Sequence, residues 1–526
     1  MRRTCRTDGT TILTRVLAAV TVCLTVAGCT SLVEGNGQRR GYTSTPPSPA
    51  ERVPPTVATP NAECVDPSGF GGRGCFRCAP TTSSELLSAC TTSRFEDFDN
   101  GRRIANFEAT NPRPALVPLG PTPPPFEGTT ETEPDPAAPP PPPCAVATAP
   151  NPVMVLGATG FPMETVAKAM GSQATIFYLE KSSCDGVAAM VLNQRLKGDV
   201  VTYDANGVAS RCTLADEHPA DVTLSALFAA SCANQSGLAE PVALPAQIDD
   251  LLGPINPVMF TVPATSKERS ISAEAAYRVY GFGSLSGVAP WTEEPYVFRR
   301  RAGSGNQLTV ALSLGLPVGE LRGRDSNGSS NMLKALLASD APDRTLGISS
   351  SEIVDTNRDV MKTLAYKHYE QPVAFYPDSD PASLDRRNVR DGHYFLWMPL
   401  HLLVRTSGGD PVAAANAVLD PDGSQRARRD AAVKLLSFVM VSRQQAPVRS
   451  VDLFGALKRT GTVPQCAMKV SRAKEGAPLV PFTPPISCDC AFEAATPGTT
   501  RSDCSPCRDA SECSSSKPTC SFGYCE

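Results

Sequence analysis

From residue 150 to about residue 470, short apolar runs alternate with segments of helical period, and loops of small residues join them. Val153–Leu156 is followed by Met163, Val166, Ala167 and Met170, spaced i, i+3, i+4, i+7. Thr175–Glu180 is followed by Val187, Met190 and Val191, and the helical spacing returns at Ala432, Leu435, Leu436 and Val439. Alternation of strands and amphipathic helices predicts an α/β architecture with a largely parallel sheet. The length of the span predicts two lobes.

The flanks of this span cannot build such a core. Arg2, Arg3, Arg6 and Arg15 precede the apolar run Val16–Gly28, the pattern of an export signal over 1–28. An ordinary signal peptide also fits that run. Val26-Ala27-Gly28-Cys29 favours a bacterial lipobox, in which the Cys29 thiol accepts lipid and holds the mature chain to a membrane. The expected location is therefore a bacterial membrane, on its periplasmic or cell-surface face. Residues 29–150 read as a tether, with sixteen prolines between Asn111 and Pro152.

Export also decides the cysteine chemistry. Of 19 cysteines, Cys5 and Cys23 lie in the signal and Cys29 takes lipid, leaving an even sixteen for disulfides. Four of them (Cys64, Cys75, Cys78, Cys90) form an island at 64–90 inside the tether. Cys75-x-x-Cys78 could hold zinc or do thiol redox chemistry, but an oxidising compartment and the lack of a βαβ context favour a stapled knot. Seven more cysteines crowd residues 488–525, so 480–526 reads as a disulfide module, with Cys466 available to make the count even. A formal charge of −4 over 526 residues argues against nucleic acid as a partner.

Three strand-to-helix junctions share one composition: "GATGFP" (157–162), "KSSCDG" (181–186) and "RAGSGNQ" (301–307). Helix N-termini carry unpaired amides and partial positive charge, and glycine lets a ligand approach the backbone. Ser182, Ser183 and Ser304 can cap these helices or donate hydroxyls. With Arg299, Arg300 and Arg301 beside the third loop, a shared anion site is expected. Side chains alternate along a strand, so only one or two of the three arginines can reach one ligand.

The order and spacing of these loops resemble the periplasmic phosphate-binding proteins of ABC transporters, within the type 2 solute-binding fold. "RRRAGSGN" (299–306) is similar to that family's arginine loop, with Trp291 ahead of it; "RTLGISSSEIVD" (344–355) and "GHYFLWMPLHLLV" (392–404) resemble later segments. The resemblance covers 151–470 and implies a two-lobed fold with a hinge. It places ligand contacts at Ala158, Thr159, Ser182, Ser183, Gly186, Arg300, Ser304, Gly305 and Asn306. It implies a small phosphate-like oxyanion as ligand and an ABC-type permease as partner. Ala302 stands where the family has an aspartate, Asn306 where it has a threonine, and Ser225 or Ala226 where another carboxylate belongs. A ligand proton left without its acceptor costs about 1–3 kcal/mol, which weakens selection of phosphate over fully ionised oxyanions. "RDSNGSSNML" (324–333) competes for the role of arginine loop, with Arg324 and Ser329 as its polar members.

Chemistry of bond-making is not indicated. His218, His368, His393 and His401 lack metal-ligand spacing, and there is no Gly-x-Ser-x-Gly elbow. "GFGSLSG" (281–287) lacks the third dinucleotide glycine, and "DSDPASLDRR" (378–387) lacks calcium-loop spacing. The expectation is an exported lipoprotein that binds a small oxyanion, with no metal or cofactor and no enzymatic activity. The rival expectation is a surface lipoprotein that uses the scaffold as a spacer and its cysteine modules as contacts.

Overall fold

The computed structural model describes residues 62–126, 139–405, 452–496 and 503–526, with positions 430, 432, 433 and 436 between. The export segment 1–28, Cys29, the tether from 30 to 61, Leu435 and Val439 lie outside the described residues. Among the described residues no helix is long and apolar enough to cross a membrane.

The centre is a nine-stranded sheet. Its strands are β1 (Pro152–Gly157), β2 (Thr175–Glu180), β3 (Arg195–Tyr203), β4 (Ala209–Pro219), β5 (Val222–Ser225), β6 (Ile248–Pro263), β9 (Gly347–Ser350), β10 (Met361–Thr363) and β11 (Trp397–Arg405). They lie in the order β9-β6-β11-β5-β1-β2-β3-β4, with β10 also on β6. The short strands β7 (Phe298–Arg299) and β8 (Arg324–Asp325) pair separately, in parallel. β1 is buried along almost its whole length, as expected for a strand covered on both faces.

The sheet is mixed rather than largely parallel. β1 pairs in parallel with β2 and β5, but β3, β4, β6, β9, β10 and β11 join antiparallel. The reason is connection length. Only five residues separate β3 from β4, too few for a parallel crossover, so the two form a hairpin.

One strand ties the body together. Residues up to Pro257 of β6 pair with β11, and from Val258 onward it pairs with β9 and β10. The helices α1 (Met163–Met170) and α2 (Ser183–Val191) follow β1 and β2. α3 (Ala273–Phe282), α4 (Gly305–Leu314), α5 (Ser329–Leu337) and α6 (Ser351–Thr356) lie in the chain between β6 and β10. A continuous apolar core runs from Val153 and Val155 through Phe260 and Tyr280 to Leu400 and Leu402.

The sixteen cysteines expected to pair do so in eight disulfides. In the island the links are Cys64–Cys78 and Cys75–Cys90, so the Cys-x-x-Cys pair is divided between two bridges. Cys466 pairs with Cys488, and the remaining six of the C-terminal module pair among themselves. The module's helix Asp489–Ala494 docks on the body where Arg390 meets Asp489 and Glu493, and where Arg387 reaches Glu493 at 2.7 Å.

From Cys64 to Phe126 the described part of the proline-rich region lies against the body. Strand Phe95–Glu96 pairs with Ala374–Phe375, and Phe70 packs edge-on against Phe375. Proline-rich backbone leaves its carbonyls free, and arginines use them: Arg322 donates to Gly120 and Pro121, and Arg324 to Pro124.

Candidate functional site

The three glycine- and serine-containing loops meet around β5 and the start of α4. In the first, the Ala158 amide donates to Leu224 O at 2.9 Å, and its carbonyl accepts from Tyr178 Oη at 2.6 Å. Gly157 has φ 135°, and a Cβ there would lie 2.0 Å from Leu224 O, so only glycine fits this crossing. A Cβ at Gly186 would meet the same carbonyl at 2.3 Å. Leu224 is thus the shared post against which the first and second loops close. Thr159 is exposed.

In the second loop both serines have internal partners. Ser182 caps α2 through a reciprocal box with Asp185, whose other oxygen accepts from Ser236 Oγ at 2.7 Å. Hydrogen bonds from these two serines hold the Asp185 carboxyl below its ordinary range, against the opposing effect of burial. Ser183 Oγ accepts from the Ala226 amide at 3.2 Å. The fully buried Cys184–Cys232 disulfide ties this helix start to the segment after β5.

The third loop is different. Ser304 stands at the N-cap of α4 without a side-chain cap bond, and the first i−4 bond runs from Leu308 N to Ser304 O. The amides of Gly305, Asn306 and Gln307 therefore have no partner within the helix. All four residues are buried. The loop presses on the second: a Cβ at Gly305 would come within 2.8 Å of Ser183 Oγ and 3.1 Å of Ala226 Cβ, and one at Gly303 within 3.5 Å of Ser182 Oγ.

The three arginines have three different fates. Arg299 is half-buried and pairs with Asp325 at 3.0 Å. Arg301 is exposed, and its charge acts on Asp185. Arg300 is only 9% exposed, and among the described residues its side chain has one hydrogen bond, to Ser329 Oγ at 2.8 Å. Its Nε is buried without a partner. Burial first, then the neighbouring Arg301, lowers its pKa from 12.5 to about 10, while Asp325 acts on it only weakly in the opposite sense. The guanidinium is charged at neutral pH and has no carboxylate in contact among the described residues.

Two segments that compete in sequence are one site in space. β7 and β8 pair, Ser326 N donates to Arg299 O at 3.0 Å, and Ser329 at the start of α5 holds Arg300. Sequence reasoning overlooks Met398, which receives Thr309 Oγ1 at 3.2 Å and lies beside Gly305. It also overlooks Asn256, at the position where β6 changes partners, whose Oδ1 accepts from Ser351 Oγ. Neither stands in a motif, and no local signal marks them. The cysteine in "KSSCDG" signals a bridge at the second loop but not its partner.

No protein-family model matches this sequence, and no curated protein matches it. Solved structures with similar folds exist. One is a putative phosphate ABC transporter substrate-binding protein with bound phosphate from Clostridium perfringens, at 11% identity over 60% of this chain and 99% of that one, TM-score 0.36. Another is a phosphate-binding protein from Stenotrophomonas maltophilia, at 12% identity over 59% and 90%, TM-score 0.34. A full-length OxyR from Pseudomonas aeruginosa matches at 9% identity over 57% and 66%, TM-score 0.29. At this level the likenesses do not decide a ligand, and the functional reading rests on the geometry of this chain.

Proposed function

We propose that the chain is an exported, lipid-anchored solute-binding protein that holds a small oxyanion at the start of α4. In this reading the body works as two lobes hinged where β6 exchanges β11 for β9, and closure over the ligand removes water. Arg300 supplies the charge, and the Gly305–Gln307 amides and the Ser304 hydroxyl supply directed donors. Ala158, Thr159, Ser183, Gly186 and Asn306 belong to the surrounding walls, and Ser182 fixes the second loop through its cap. Handing the solute to an ABC-type permease is the onward step. Lipidation at Cys29 would keep the protein beside that permease.

One observation carries the reading: a buried guanidinium whose only hydrogen-bond partner among the described residues is a neutral hydroxyl, in the loop that enters a helix without a side-chain cap. Buried charges are ordinarily paired, and this one becomes paired when an anion enters. No carboxylate contacts Arg300, so the site favours a fully ionised oxyanion at least as much as one carrying a proton. Calorimetry with phosphate and with sulfate tests this. Arg300→Ala is expected to weaken binding at least about tenfold, the effect of ~1.4 kcal/mol. Arg299→Ala and Arg301→Ala should have much smaller effects; equal losses from all three would reduce the attraction to nonspecific surface charge.

A further inference from the structure

A cavity lies where the segment just after the cysteine-stapled island meets the body. It has a volume of about 280 Å³ and is lined by Arg94 after the island, the β6–α3 connection, α6 with the turn that follows it, β10 and the loop after Ala374–Phe375. Its ionisable wall consists of Arg94, Arg269, Arg358, Lys362, Glu268 and Asp378.

Both acids are already committed. Glu268 pairs with Arg103 at 2.6 Å, and Asp378 accepts from the buried Arg386 and from Arg358. Arg358 is also occupied by Asp355 and by the Pro381 and Ser383 carbonyls. The remaining cations are far less well satisfied. Arg269 is exposed, and its side chain has no hydrogen bond or ion pair among the described residues. Lys362 Nζ has one backbone carbonyl, Ser266 O. Arg94 makes only long contacts, 3.4 Å to Glu96 and 3.8 Å to Asp380. Burial and the nearby Arg269 hold the Lys362 amine below its ordinary range, despite Asp343 and Glu268.

We infer that this cavity is a binding site for a small solute with two or more negative charges, gripped by Arg269, Lys362 and Arg94. The volume lies just below the range of ligand-sized cavities, which starts at about 300 Å³, and so suits only a small solute. Two planar guanidiniums match carboxylate or phosphate oxygens in bidentate fashion, and the ammonium adds a point charge. Arg94 lies four residues beyond the island's last cysteine and Lys362 in the central sheet, so an occupant also ties the segment that follows the island to the body. The site does not include Arg300 and does not depend on the proposed function.

Calorimetry on the full chain, with citrate in one arm and glycerol 3-phosphate in the other, tests the site. At least one probe should bind saturably, one per chain. Replacing both Arg269→Gln and Lys362→Gln should weaken that binding at least about tenfold, and Arg300→Ala should change it by less than about twofold. Arg269→Gln alone should give a smaller loss, and because that side chain has no partner to lose, its melting temperature should equal that of the parent. The inference is overturned if neither probe saturates below about 10 mM, if the paired substitution leaves binding unchanged, or if Arg300→Ala abolishes it.

Discussion

Replacing Arg300 with methionine should make the ligand-free protein more stable while removing its response to anions. The structure gives the magnitude. Burial and Arg301 move the guanidinium pKa from 12.5 to about 10. About 2.5 units at 1.36 kcal/mol each is ~3 kcal/mol spent on keeping the charge in place. Methionine occupies similar volume, carries no charge and relieves that cost. It also loses the bond to Ser329, a charge-assisted contact worth about 1.5–3 kcal/mol. The net expectation is a gain of ~1 kcal/mol in buffer free of oxyanions.

The folded-state pKa lies below the unfolded one. The cost is therefore fully present below pH 10 and fades only as pH rises from about 10 toward 12.5. The gain should accordingly be the same at pH 6 and pH 8. Urea unfolding with and without phosphate or sulfate measures both quantities. The parent should gain about 2.7 kcal/mol at an anion concentration 100 times the dissociation constant, and Arg300→Met should gain nothing. A variant that loses more than about 1 kcal/mol without anion, and still responds to anion, would make Arg300 an ordinary structural residue and refute the reasoning. Absence of any response in the parent would favour the spacer reading.

Gly305→Ala would push a methyl group to 2.8 Å from Ser183 Oγ and 3.1 Å from Ala226 Cβ, so a loss of about 1–3 kcal/mol and a weakened anion response are expected. Adding Ser183→Ala should restore part of the stability; a neutral Gly305→Ala would show that the loops are not in contact. His368, stacked on Phe395 at 3.6 Å, has its pKa lowered to about 3 by burial, then by Arg472 and Arg113. Because the unfolded chain takes up this proton first, stability should fall by ~1.4 kcal/mol per pH unit below about 6.5, and His368→Gln should remove that component. Parallel pH profiles for parent and variant would contradict it.

Much of the fold was legible because its signals are local. β1 with α1 and β2 with α2 follow from apolar runs and helical spacing within about twenty residues each. The capping role open to Ser182 is realised three residues on, at Asp185. The disulfides were legible as an even count but not as pairs, since Cys184–Cys232 and Cys144–Cys212 join residues 48 and 68 positions apart. The mixed sheet was missed because β6 and β11 pair through contacts that no short window contains. The same holds for the proline-rich region, whose composition describes an extended chain but says nothing of the arginines that hold it against the body.

The amino-acid sequence alone determined that sixteen cysteines, an even number, lie from Cys64 to Cys525, that the middle span alternates strand and helix, and that three small-residue loops precede helices. These properties depend on composition and short-range spacing. The family resemblance points to Arg300 among three consecutive arginines, but only the tertiary structure decided what surrounds each of them. Asp325 pairs with Arg299, Arg301 is exposed, and Ser329 receives Arg300 in a buried place where no carboxylate among the described residues touches it. A guanidinium's chemistry is the same at all three positions; its availability depends on what the folded chain brings beside it.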